Sequence, residues 1–208
     1  LYEPLEIRSP IDGSYTPYLA TGHKFSDPTT LQYTLRAGVK WSDGQAFGPA
    51  DGSFTFNLLK KYPALDTTGV WQQISGLSTS GNTVTFTFKQ PNVPFAGVLA
   101  GTPIVAEHAW SAVGDPTKFA NTTPVATGPF TLDKFAPTQY PLKKNPGYWQ
   151  AAPIAPSVVV FPAESSQPSP DQPLPADAQS HSSPRSLPNV THTTPPPAPP
   201  PTPPQPPP

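Results

Sequence analysis

Residues 83–88 read Thr-Val-Thr-Phe-Thr-Phe, and this stretch decides the fold class. Its three apolar residues alternate with three threonines, a period of two that is typical of a β-strand with one buried face. Ser80-Gly81-Asn82 precedes it and supplies turn residues, because Gly and Asn tolerate positive φ. With residues 74–79 on the other side of that turn, the pattern predicts an antiparallel hairpin.

Upstream of this hairpin, the sequence predicts one more strand and a helix. Residues 31–36 alternate apolar and polar side chains, and residues 39–41 resume the strand pattern after an Ala-Gly break. Pro49 suits the first turn of a helix, where its missing N–H costs nothing. We predict a helix over 50–62 whose apolar stripe consists of Phe54, Leu58 and Tyr62, with Phe56 and Leu59 beside it.

Downstream, strands and short helices follow without regular alternation. We predict short helices over 95–99 and from 107 onward, then strands over 130–135 and 140–144 joined by a turn at Pro137. This order lacks the βαβ repeat of a parallel sheet. The fold class is therefore α+β, with antiparallel hairpins and short helices.

Proline is distributed unevenly and marks a domain boundary. Of 35 prolines, 15 lie in residues 1–150 and 20 in residues 151–208, where Phe161 is the one aromatic residue. Such a segment buries too little apolar surface to offset the ordering of its backbone, about 1–2 kcal/mol per residue. We predict a folded domain over 1–162 and a disordered proline-rich tail over 163–208.

Charge and residue types exclude several functions. The net charge is −1 and the sequence has no block of basic residues, which argues against nucleic-acid binding. There is no cysteine, and the four histidines have no carboxylate or second histidine at metal-ligand spacing. We interpret Asp43 as a turn residue. No cofactor motif, metal site or catalytic constellation is visible, so we predict that the chain is not an enzyme.

Trp71 and Trp110 are the candidate ligand-binding residues. A site that grips a peptide or a sugar needs flat apolar faces with polar edges, and tryptophan provides both. We place Trp71 in a loop and Trp110 on a short helix. Ordinary core packing is the alternative explanation for each of them.

Five stretches resemble motifs of the family 5 solute-binding proteins, the dipeptide- and oligopeptide-binding type. They are YTLRAGVKWSDG (33–44), TFN (55–57), TVTFTFKQPNVPF (83–95), PVATGPF (124–130) and LKKNPGYW (142–149). Each is short, but all five occur in the order that the family has. Residues 63–71 are also similar to members that bind oligosaccharides.

The resemblance implies a fold of the type II periplasmic-binding-protein class, in which two lobes close on a ligand. It implies a truncated first lobe here, from a non-catalytic, extracytoplasmic, monomeric protein that delivers a peptide or an oligosaccharide to an ABC permease. No signal peptide precedes Leu1, so we expect the sequence to start inside a domain. The alternative is an interaction protein that acts through its proline-rich tail, as an extended ligand for aromatic grooves.

Overall fold

The computed structural model describes residues 1–136, 139–150 and 156–162. Its helices are α1 (Pro49–Lys61), α2 (Val70–Gln73), α3 (Ala96–Gly101) and α4 (Glu107–Trp110). Its strands are β1 (Glu6–Arg8), β2 (Tyr15–Pro17), β3 (Ala20–Asp27), β4 (Thr30–Leu35), β5 (Ile74–Ser80), β6 (Thr83–Phe88), β7 (Phe130–Leu132), β8 (Gln139–Lys144) and β9 (Val158–Pro162). Within these ranges, no helix has the length and apolar character needed to cross a membrane.

A four-stranded antiparallel sheet in the order β3-β4-β6-β5 forms the centre of the domain. The predicted hairpin is confirmed as β5 and β6. Leu31 pairs with Phe86 and Tyr33 with Val84 across β4 and β6, and all four side chains are fully buried. The threonines of β6 lie on the opposite, more exposed face. The period of two in residues 83–88 therefore reports one buried face, as predicted.

Helix α1 packs on the buried face of this sheet. The ring of Phe56 meets the ring of Phe86 edge-on, with centroids 4.7 Å apart. A Cβ atom at Gly52 would lie 3.1 Å from Cγ2 of Val84, so the glycine lets the helix approach the strand closely.

The predicted apolar stripe of α1 is wrong for its three central residues, whereas Phe56, predicted beside them, is fully buried. The buried face consists of Asp51, Gly52, Thr55 and Phe56. The three residues of the predicted stripe are only half-buried. They form the side of α1 that faces α4, where the Tyr62 hydroxyl donates to the Gly114 carbonyl at 2.8 Å.

Two smaller antiparallel sheets complete the described fold, and both differ in detail from the predictions. The β1–β2 pair and strand β9 were not predicted. Strand β7 ends at Leu132 rather than at residue 135. Asp133 N–H still donates to the Pro141 carbonyl at 2.9 Å, but Pro141 has no N–H to donate back, so the ladder stops. The predicted Pro137 turn lies outside the described residues.

The strand predicted to resume over 39–41 is a single bridge between Lys40 and Ala46. Gly44, at φ +89°, closes a tight turn immediately after Trp41, which leaves no room for a longer strand. Asp43 Oδ1 accepts the Gln45 N–H at 3.1 Å, so the prediction that Asp43 is a turn residue is confirmed.

Candidate ligand-binding site

A pocket of about 490 Å³ lies between α1 and α3. Its walls are mostly apolar and include Leu58, Leu59, Leu65, Val98, Val105 and Trp110. Its polar residues are Thr55, Thr67, Thr68 and Thr102. The volume falls in the ~300–1,000 Å³ range of small-molecule sites, and an apolar lining with few polar groups is typical of them.

Trp110 is the last residue of α4 and forms part of the pocket wall. The prediction that it lies on a short helix is confirmed. The start of α4 is fixed by Asp51, a residue of α1 that is only 5% exposed. Its Oδ1 accepts the Glu107 N–H at 2.9 Å, while its Oδ2 accepts the Gly48 N–H at 2.9 Å and the Trp41 Nε1–H at 3.2 Å. One carboxylate therefore ties the starts of both helices to the turn that follows Trp41.

Asp51 does not line the pocket but holds the helix that carries Trp110, and this role was not predicted. The signal was present, because a carboxylate three residues after Gly48, next to Pro49, occupies the position of a capping-box acid.

His108 adds a second link between α4 and that turn. Its Nε2 lies 2.7 Å from Asp43 Oδ2, and both side chains are about one-third exposed or less. His23 is also paired, because its Nδ1 lies 2.6 Å from Oε2 of Glu6, which is 1% exposed. The two pairs join residues 17 and 65 positions apart, so spacing along the sequence does not reveal them.

Among the residues that the structure describes, neither pair belongs to a group of side chains that could hold a metal ion. Within residues 1–136, 139–150 and 156–162, no group of three or more His, Cys, Asp or Glu side chains could hold a metal ion. His181 and His192 lie outside those residues.

The environment of Glu6 is a packed cluster of rings. Tyr15 meets His23 edge-on at 4.6 Å between centroids. Burial, followed by the nearby negative charge of Glu6, raises the pKa of the Tyr33 hydroxyl well above its usual value. That hydroxyl donates to the Ala96 carbonyl at 2.8 Å, so the cluster joins the sheet to α3.

Trp71 lies in helix α2 rather than in a loop. The carboxylate of Asp66 accepts the Val70 N–H at 2.8 Å and the Trp71 N–H at 3.1 Å, and so begins this turn of helix. The Trp71 indole Nε1–H donates to the Phe56 carbonyl at 2.7 Å. Lys60 Nζ lies 4.3 Å from the centroid of its ring. Trp71 is not among the residues that line the Trp110 pocket, so the two candidate tryptophans are not brought together there.

The stretches 124–130 and 142–149 interlock. Asn145, 7% exposed, donates its N–H to the Pro129 carbonyl and its Nδ2–H to the Gly128 carbonyl, both at 2.9 Å. Its Oδ1 accepts the Gly147 N–H at 3.0 Å. These contacts join the residues that directly precede β7 to the residue that directly follows β8.

Comparison with known families gives a match over most of the chain. The model of "Bacterial extracellular solute-binding proteins, family 5 Middle" matches residues 14–171. The chain belongs to this family. The antiparallel sheets and short helices of the described fold agree with the type II periplasmic-binding-protein class.

Individual relatives support the same assignment. A Brucella ovis protein, named provisionally as an ABC transporter peptide-binding protein, is 30% identical over 156 residues, which are 71% of this chain and 29% of the relative. A periplasmic oligopeptide-binding protein of Thermotoga maritima superposes with a TM-score of 0.73 at 28% identity, over 80% of this chain and 32% of that one. A crystal structure of the Thermotoga protein with mannohexaose bound gives a TM-score of 0.72 at 27% identity, over 79% of this chain and 32% of that one. This chain therefore spans about a third or less of the length of these relatives.

Proposed function

We propose that this chain supplies part of the substrate-binding component of an ABC importer for peptides or oligosaccharides. Membership of a family of extracellular solute-binding proteins supports this role. The two ligand classes follow the relatives, since one is named for peptides and another was crystallised with mannohexaose.

The same proposal covers location, partners and chemistry. The protein works outside the cytoplasm as a monomer, hands its ligand to an ABC permease and catalyses no reaction. Its folded domain spans residues 1–162. Ligand is held between this lobe and a second one, and closure of the two adds contacts on both sides of the ligand.

Trp110 is the proposed primary contact for the ligand. The observation that carries this proposal is that its ring forms part of the wall of the 490 Å³ pocket, in a domain of a solute-binding family. Trp71 is proposed as a second contact. The position of Lys60 Nζ, 4.3 Å from the centroid of its ring, supports this role, because it marks a face of the indole that a charged or polar group can approach.

Titration of the chain tests the proposal. Mixed di- to pentapeptides and cello-oligosaccharides are added in separate series and followed by calorimetry and tryptophan fluorescence. We expect saturable, weak binding of one class, in the ~millimolar range, because one lobe offers half of the contacts. Trp110→Ala should weaken it. Val93→Ala, at an exposed position outside the pocket, serves as the control. Failure of both classes to bind would refute the proposal.

A further inference from the structure

The residues that line the Trp110 pocket indicate which chemical class of ligand it can hold, and membership of the family alone does not. None of the described residues that line it has an ionisable side chain. A charged ligand group placed there would lose part of its hydration without gaining a charged partner, which disfavours its binding. The pocket therefore selects against charge.

The nearest charged residues along the chain are engaged elsewhere. Lys60 follows the lining residue Leu59, and its Nζ lies over the ring of Trp71. Lys61 Nζ lies 5.2 Å from the centroid of the Tyr62 ring. Asp66 lies between two lining residues, but its carboxylate accepts the N–H groups that begin α2. These three charged groups thus have partners other than a ligand, while Glu107, two residues after the lining residue Val105, is exposed.

The polar atoms of the pocket are also partly used. Thr55 Oγ1–H donates to the Asp51 carbonyl at 2.8 Å, and its oxygen accepts the Val105 N–H at 3.0 Å. Thr102 Oγ1–H donates to the Val98 carbonyl at 3.0 Å. Two of the four threonine hydroxyls therefore already donate hydrogen bonds to backbone carbonyls. A sugar ring carries several hydroxyls, and each one that is buried without a hydrogen-bond partner weakens binding.

From this lining we infer that the pocket takes an uncharged apolar side chain of a peptide, aromatic or branched aliphatic, rather than a sugar ring or a charged residue. This inference rests on the proposed function and narrows it to peptides with such a side chain. The ring of Trp110 offers an edge or a face to an aromatic group, and Leu58, Val98 and Val105 supply the remaining apolar contact.

Single-residue probes test the pocket without requiring a second lobe. N-acetyl-phenylalaninamide, N-acetyl-leucinamide, N-acetyl-lysinamide and methyl β-glucoside are titrated into the chain labelled with ¹⁵N. The indole N–H signal of Trp110, assigned with the variant Trp110→Phe, is the readout. We expect the phenylalanine and leucine probes to shift this signal saturably. The lysine and glucoside probes should bind at least about tenfold more weakly.

Pocket-filling variants locate the binding. Val98→Phe places a ring in the pocket, and Thr68→Phe does so from the exposed rim, where the risk to folding is lower. Each should weaken binding of the phenylalanine probe by about tenfold or more. Val93→Phe makes the same change at a 56% exposed position outside the pocket and should leave the affinity within about twofold. Circular dichroism checks that each variant is folded.

Any of three results would overturn the inference. The first is binding of the glucoside or lysine probe as tight as that of the phenylalanine probe, which would leave a solute-binding role in place. The second is apolar binding that both filling variants leave unchanged, and the third is no binding of any probe. The separate titration with longer peptides and oligosaccharides would then decide the proposed function by itself.

Discussion

The Trp149 indole Nε1–H donates to Glu3 Oε2 at 2.8 Å, across 146 positions of the sequence. The other oxygen of Glu3 accepts the Tyr148 hydroxyl at 2.8 Å. Glu3 is only 4% exposed. The guanidinium of Arg36 lies over the Trp149 ring, with its carbon 4.4 Å from the ring centroid. Tyr148 and Trp149 therefore hold the N-terminal residues of the chain against the rest of the domain.

Replacing Glu3 tests how much its hydrogen bonds to Tyr148 and Trp149 stabilise the domain. Glu3→Gln keeps the shape but removes the charge and one of the two acceptors, so we expect it to lower the free energy of unfolding by about 1–3 kcal/mol. Glu107→Gln, on an exposed residue, should change it by less than about 0.5 kcal/mol. Urea denaturation of both variants makes the comparison. Equal, small effects would contradict the role given to Glu3.

Asp51 should be among the most sensitive positions of the domain. Asp51→Ala leaves the Gly48 N–H, the Glu107 N–H and the Trp41 indole N–H without their acceptor, and we expect a loss of about 3 kcal/mol or more. The exposed Asp115 also accepts a backbone N–H, from Thr117, at 3.0 Å. Asp115→Ala is therefore the matched control and should cost about 1 kcal/mol or less. Similar denaturation midpoints for the two variants would refute this account of Asp51.

Alkaline pH should destabilise the fold through Tyr148. Burial, and then the hydrogen bond to Glu3 and its charge, raise the pKa of the Tyr148 hydroxyl. Above pH ~10 the unfolded chain loses this proton while the folded chain keeps it, so stability falls as pH rises. Tyr148→Phe should make the fall between pH ~9 and ~11 shallower, as measured by urea denaturation at each pH. An unchanged slope would show that the tyrosine does not contribute.

Gly128 marks a close approach between the first residue and the stretch 124–130. A Cβ atom there would clash with the Leu1 carbonyl oxygen, which also accepts the Gly128 N–H at 2.8 Å. Gly128→Ala should displace the N-terminal residues and lower the melting temperature by several degrees, about 4 °C or more. Gly101→Ala, whose Cβ would meet nothing within 4 Å, should be near neutral. Faster proteolysis near the N-terminus in the first variant alone would locate the change.

Sequence periodicity predicted the elements with one buried face and failed where two faces are partly covered. In β6 one face is buried, and its pattern is regular. In α1 the apolar residues Phe54 and Leu58 face the pockets beside α4, whereas Gly52 and Phe56 face the sheet. A stripe drawn through the most apolar positions therefore selected the wrong side of the helix.

The sequence identified Trp71 and Trp110 as candidates, but most of the contacts that position them could not be predicted. The sequence could place Trp110 on a short helix, because 107–110 carry a helical pattern. It could not show that Asp43 and His108, 65 positions apart, meet at 2.7 Å, because that contact depends on tertiary folding. Trp71 was predicted in a loop although its helix has a local signal: Asp66 accepts N–H groups from four and five residues ahead, as a helix cap does.

Photo-crosslinking gives the most direct measurement on the central claim, that the Trp110 pocket holds an apolar side chain of a bound peptide. A tripeptide with a central benzoyl-phenylalanine is irradiated with the chain, and the modified residues are mapped by mass spectrometry. We predict adducts at Leu58, Val98 or Trp110 that an excess of the phenylalanine-containing tripeptide suppresses and cellotriose does not. Adducts confined to other surfaces, or suppressed by cellotriose instead, would contradict the claim.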